Sequence, residues 1–289
     1  MTAGRGPAIA RRRLGAQLRT LRDRSGLLLD AVAEHLECSP AKVSRLENGK
    51  GLPRLRDVRD LLDLYGIQDE QLKRELLDLA AQGQQHGWWY EEYSELIDDK
   101  TRNFIALEDG ASALHAYEVN LVFGLLQTEA YARAVLKVLA GPLADRENLD
   151  QWIGFRLKRQ EILRRPDDPV RLHVVLEEAV VRRPVGGRRV QKEQLSSLLE
   201  SSTQPNITIQ LLPVAVGMHQ AVAGSFTLLQ FARPDDHELV YIESADGGTV
   251  HHENTSDAPR YRRIFDAIRH AALTPGGTRD RIREVISEL

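Results

Sequence analysis

The stretch SPAKVSRLENG (39–49) holds only two residues suited to a core, Val43 and Leu46, set three apart as on one face of a helix. Ser39 followed by Pro40 opens that helix, because a serine hydroxyl accepts from a free amide of the first turn and proline's fixed φ suits the first helical position. Asn48-Gly49 closes it. In helical projection Ala41, Ser44, Arg45 and Asn48 lie opposite Val43, with Lys42 on the flank. A short helix stopped firmly at both ends, with a polar outward face, holds side chains in fixed positions rather than supplying a core.

Upstream, Leu29, Val32, Ala33 and Leu36 give an amphipathic helix, and only Glu37-Cys38 separate it from Ser39, so the chain turns sharply there. Ile9, Leu14, Leu18 and Leu21 give the helix before it, broken at Ser25-Gly26. Pro53 opens a fourth (Leu55, Val58, Leu61, Leu62) that Gly66 ends, and a fifth runs from about Asp69 to Ala81. No strand pattern precedes residue 100. Two short helices joined by a tight turn form a helix-turn-helix, whose second helix lies in the DNA major groove, where base edges differ from pair to pair. Its demands are met in turn: small Ala33 where the helices cross, a capped start, an apolar inward pair and a polar outward face. A packed five-helix interaction module without DNA satisfies the same pattern.

Charge bears on that choice. Residues 1–59 carry 13 Lys/Arg against 6 Asp/Glu, a net of +7, and the remainder carries 26 against 36, a net of -10, summing to the chain's -3. A basic head on an acidic body suits a polyanion at the head. No apolar run approaches the ~18 residues that span a bilayer. The N-terminal MTAGRGPAIARRR has no apolar segment after its basic residues, as a signal peptide would, so a cytoplasmic protein is expected. Cys38 is the single cysteine, which excludes an internal disulfide and a thiolate metal cluster. No cofactor is expected.

The stretch LGAQLRTLRDRSGLLLDAVAEHLECSPAKVSRLENGKGLPRL (14–55) resembles the five-helix DNA-binding domain shared by phage repressors and xenobiotic-response-element-type regulators. The resemblance implies that Pro40, Ala41 and Arg45 face base edges, Arg45 pairing with guanine and Ala41 touching a thymine methyl. It gives Ser44, Asn48 and Lys50 to the phosphate backbone, together with Arg11, Arg12 and Arg13, and Ser39 and Lys42 complete the expected DNA-binding set. Arg22 and Glu47 match a pair that forms an internal salt bridge in that family. The sequence departs from the family at Leu28-Leu29, where Ser or Thr followed by Gln is usual.

The polar QGQQHG (82–87) marks the expected boundary, with a helix-turn-helix domain over 1–82 and a second domain over 83–289. There, 128–139, 146–165, 191–202, 258–273 and 278–289 read as helices. VRLHVVLEE (170–178), NITIQLLP (206–213), GSFTLLQFA (224–232) and ELVYIES (238–244) read as strands. The expected fold class is therefore α+β, an antiparallel sheet with packed helices behind a five-helix head. The order of YEVNLVFGLLQTEAYARAVL (117–136), VVLEEAVVRRPVGG (174–187), QKEQLSSL (191–198), ITIQLLPVAVGMH (207–219) and VYIES (240–244) is similar to the C-terminal domain of the WhiJ-like regulators of actinobacteria. That resemblance implies a transcription regulator, often encoded beside a small partner protein in an antitoxin-like arrangement. Phe123 stands where the family carries proline.

The residues of this motif read structurally: Gly124 for an unusual backbone angle, Thr128 as a cap, and Tyr131, Val135 and Leu139 facing inward. Enzyme signals are weak. HHE (251–253) offers metal ligands but lacks a further partner in sequence, and Glu177-Glu178 is a carboxylate pair whose members point apart at a strand end. There is no phosphate-binding Gly-rich loop and no G-x-S-x-G elbow. The expectation is a DNA-binding transcription regulator, not an enzyme, whose second domain senses a small partner protein or a small molecule. Because one recognition helix covers few base pairs, it is expected to act as a homodimer on double-stranded DNA. The alternative is an antitoxin-like protein that sequesters a small partner and autoregulates its operon.

Overall fold

Five helices open the chain where the apolar spacing places them: α1 (Pro7–Arg24), α2 (Leu29–His35), α3 (Pro40–Glu47), α4 (Leu55–Leu64) and α5 (Glu70–Gly83). The computed structural model describes residues 6–139, 146–233, 236–243, 249–252 and 257–289. Leu14 and Leu18 of α1, Val32 of α2, Val43 of α3, Val58 and Leu61 of α4 and Leu76 of α5 meet in one core, closed to water. Pro7 begins α1 and the Asp69 carboxylate caps α5, accepting from Gln71 N at 2.9 Å and Leu72 N at 3.2 Å. Two further helices follow, α6 (Trp89–Tyr93) and α7 (Asp99–Asp109), and α7 packs on α1. By compactness the chain divides into a first unit that ends at Gly110 and a second that starts at Ala111.

The second unit is α+β, with a six-stranded sheet in the order β3-β2-β1-β4-β5-β6. The strands are β1 (Ala113–Glu118), β2 (Arg171–Glu177), β3 (Ile207–Leu212), β4 (Phe226–Gln230), β5 (Leu239–Glu243) and β6 (Thr249–His252). The expected antiparallel sheet needs correction, because β1, β2 and β3 run parallel while β1, β4, β5 and β6 pair antiparallel. The connections explain this. Helices α8 (Glu129–Leu139) and α9 (Arg146–Arg159) carry the chain from β1 back to the start of β2, and α10 (Glu178–Arg182) and α11 (Arg188–Ser201) do so from β2 to β3. Crossovers of that length permit parallel neighbours. After β3 the chain crosses to the far side of β1, where β4, β5 and β6 follow as antiparallel neighbours.

Two strands, β1 and β6, lie outside the four read from the sequence, and β1 is central. Helix α12 (Ala258–Ala271) packs Phe265 and Ile268 on Tyr117, Val175, Leu228 and Val240, and α13 (Pro275–Glu288) follows it. The free edge of β3 is partly covered, since Leu211 N donates to Thr278 Oγ1 at 3.0 Å and Leu273 N donates to Leu211 O at 2.8 Å. Among the described residues no helix is long and apolar enough to cross a membrane.

Candidate nucleic-acid interface

Helix α3 is fixed from three directions. The Ser39 hydroxyl accepts from Lys42 N at 3.3 Å, the cap its sequence position demanded. At the other end Gly49 takes φ +68°, and Lys50 N returns to Arg45 O at 2.8 Å, closing the last turn. Beneath it, Arg22 of α1 forks onto Glu47, Nε to Oε1 at 2.6 Å and Nη2 to Oε2 at 3.0 Å, while its Nη1 reaches Leu27 O at 2.9 Å. Both side chains are buried, and a bidentate guanidinium–carboxylate contact fixes orientation as well as distance. Close packing completes the mount: a Cβ on Gly15 would stand 2.4 Å from Glu47 O, so α1 and α3 touch backbone to backbone there. A mid-helix glycine was the signal for that contact, and it went unread.

On this mount Ser39, Pro40, Ala41, Lys42, Arg45, Asn48 and Lys50 are exposed and Ser44 is half-buried, so the expected residues share one accessible helix and its flank. They are not equally available. Lys42 Nζ holds Asp57 of α4 at 2.6 Å, and Asn48 Nδ2 donates to Ser44 Oγ at 3.3 Å. Arg45 has no polar side-chain partner among the described residues. The arginine run divides: Arg11 turns in and donates from Nη1 to Gly83 O at 3.0 Å, and burial holds its pKa below the usual arginine value. Arg12 and Arg13 are half-buried on the same helix, and Arg12 backs onto Gly49. Leu28, at the departure from the family pattern, is the uncapped N-cap of α2 and is exposed.

In the second unit the FGLLQT phrase is a structural clasp. Gln127 Nε2 donates to Val122 O at 2.6 Å, its Oε1 accepts from Arg156 Nη1 at 2.7 Å, and Gln194 joins both Leu126 O and Thr128 N. Thr128 caps α8, accepting from Tyr131 N at 3.3 Å. Two details differ from expectation. Gly124 has no positive φ, the turn being held by the glutamines, and Leu139 is exposed, because only Tyr131 and Val135 of its stripe face the core. Phe123 has φ -52°, within the range a proline ring would impose.

Side chains of His251, His252 and Glu253 lie outside the described residues, and no group of three potential metal ligands occurs among those described. Glu177 and Glu178 engage different partners, Tyr117 and His219 for the first and two arginines for the second.

Comparison with known proteins adds two matches. Residues 13–76 match a family model described as a helix-turn-helix domain, and residues 101–284 match one described as a domain of unknown function (DUF5753). No curated protein and no solved structure matches the chain.

Proposed function

The chain belongs to the DUF5753 family, and from that premise we propose that it is a cytoplasmic, sequence-specific DNA-binding transcription regulator whose second domain senses a small molecule or a small partner protein. One observation carries the reading: a helix capped, closed and bolted from below turns Arg45 outward with no polar partner among the described residues. Rigid placement of an unengaged guanidinium is what bidentate recognition of guanine requires. Ala41 and Pro40 add contact at base edges. Ser39, Ser44, Asn48, Lys50, Arg12 and Arg13 serve the phosphates, and Lys42 joins them only by exchanging Asp57 for a phosphate oxygen. We assign Arg11 to holding α1 against the end of α5. A homodimer supplies two such helices to a two-fold site. The WhiJ-like resemblance, with an actinobacterial setting and a neighbouring small protein, belongs to the same proposal.

Selection of the purified chain against random duplex oligonucleotides is the test. We expect enrichment of a two-fold motif, with affinity falling steeply as salt rises. A pool that enriches nothing, with or without a co-expressed small protein, overturns the reading. A small chain that co-purifies at 1:1 while no operator emerges favours sequestration as the main activity.

A further inference from the structure

The loop from β3 to β4 (213–225) crosses the carboxyl ends of the parallel strands β2 and β1, and three side chains meet beneath it. Tyr117 is the last residue but one of β1, Glu177 ends β2, and His219 hangs from the loop. The Tyr117 hydroxyl donates to Glu177 Oε1, and His219 Nε2 lies 3.0 Å from the same oxygen. His219 Nδ1 accepts from Ala221 N at 3.3 Å, which leaves Nε2 turned toward the carboxylate. Burial, and then the carboxylate itself, push the Tyr117 phenol up, so it stays protonated and donating.

Glu177 thus has Tyr117 and His219 on one oxygen. Its Oε2 makes no hydrogen bond, and no Lys or Arg lies within ion-pair distance, among the described residues. The next residue is handled in the opposite way: Glu178 accepts from Arg182 Nε at 3.0 Å, Arg281 Nη1 at 2.9 Å and Val214 N at 3.3 Å. Only 18% of the Glu177 side chain and 13% of His219 are exposed, and among the described residues His219 is the one basic side chain within ion-pair distance of the carboxylate. A carboxylate oxygen left without a donor can accept from a cationic one. The same loop turns apolar side chains outward, Met218 at 84% exposure, Val214 at 66% and Val222 at 56%.

We propose that Glu177, with Tyr117 and His219, is the sensing site of the second unit, and that it binds a small organic cation: a protonated amine on Glu177 Oε2, carried on an apolar body that rests on Val214, Met218 and Val222. The proposal deepens the sensing role proposed above and rests on it.

The test uses the full chain and n-hexylamine as probe, with n-hexanol and hexanoate as controls, read by ligand-observed NMR and calorimetry. Hexylamine binds saturably and the two controls bind at least ten-fold more weakly. Glu177→Gln, which keeps the shape, weakens hexylamine at least ten-fold, whereas Glu193→Gln at an exposed site on α11 leaves it unchanged. Met218→Ser, fully exposed and harmless to folding, reduces the affinity gained on lengthening the amine from butyl to hexyl. Equal binding of hexanol and hexylamine, or no loss in both Glu177→Gln and Met218→Ser, overturns the site. Operator affinity measured in parallel separates the two ideas. If hexylamine does not bind but a partner protein still alters operator affinity, the site is wrong and sensing stands. If hexylamine binds through Glu177 and no ligand alters operator affinity, the site stands and sensing falls.

Discussion

Glu47 and Glu177 are both carboxylates drawn out of water, and they are kept there by opposite means. Glu47 in the first unit receives both arms of Arg22, and its second oxygen is as fully engaged as its first. Glu177 in the second unit receives Tyr117 and His219 on one oxygen and no Lys or Arg among the described residues. A closed pair has nothing left to offer a ligand and serves to hold α1 to α3. The carboxylate of Glu177 keeps one oxygen without a donor among the described residues, which is why we propose it as a ligand site. Arg45 repeats the lesson with the sign reversed: Arg22 is spent on the scaffold, and Arg45 is kept free of it.

The sharpest way to break this contrast is to open the closed pair. Arg22→Ala leaves Glu47 buried and alone, and should cost about 3–5 kcal/mol in chemical denaturation of the first unit. Glu177→Gln should move the stability of the second unit by less than ~0.5 kcal/mol. Similar losses in both variants would erase the distinction between scaffold and site.

A second probe concerns polar burial without compensation. His115 on β1 has both ring nitrogens buried without a hydrogen bond, beside His173 and Phe265; Gln230 stands close enough to favour the charged ring slightly, but not in hydrogen-bonding geometry. Burial first, and Arg262 next, bring its pKa down to about 4. Burial lowers that of His173 as well. Below pH 6.5 the unfolded chain then holds protons that the folded chain refuses, so stability is full above that value and is lost as the pH falls toward 4. Discounting for the partial exposure of the ring, His115 should account for on the order of 2 kcal/mol of that loss. His115→Phe should flatten the pH dependence of urea unfolding, and an unchanged slope would show the ring to be better solvated than its surroundings imply.

Two smaller effects refine the picture of the head. Arg45→Ala should weaken operator binding by about 1–3 kcal/mol and relax preference at one base position. Its melting temperature should stay unchanged, because among the described residues no polar group engages the Arg45 guanidinium. A footprint identical to the parent's would remove Arg45 as the reader. Glu37, in the turn between α2 and α3, has φ +50°, a conformation that suits glycine. Glu37→Gly should relieve the strain and stabilise the head by ~0.5–1 kcal/mol, whereas the same exchange at Glu34 inside α2 should destabilise it.

The head was legible because its decisions are local. Ser39-Pro40, Asn48-Gly49 and the Val43/Leu46 spacing specify α3 without reference to distant residues. What stayed hidden there depends on neighbours: the Gly15 contact with α3, the Lys42–Asp57 pair and the inward turn of Arg11. In the second unit β2, β3, β4 and β5 announce themselves through β-branched runs. ALHAYE (113–118) does not, since it carries no β-branched residue; β2 on one side and β4 on the other make it a strand. The parallel half of the sheet was hidden with it, as was the meeting of Tyr117, Glu177 and His219, which lie far apart in sequence and converge only through that strand order.

The central place of β1 also sets a timetable for biosynthesis. Ala113 pairs with Arg171 on one side and with Gln230 on the other, so the sheet cannot close until the polypeptide has emerged past residue 230. The five helices of the head need nothing beyond their own short loops. At ~5–20 residues added per second, the ribosome takes on the order of ten seconds to span the interval between them. A newly made molecule therefore completes its helix-turn-helix before its sheet can close.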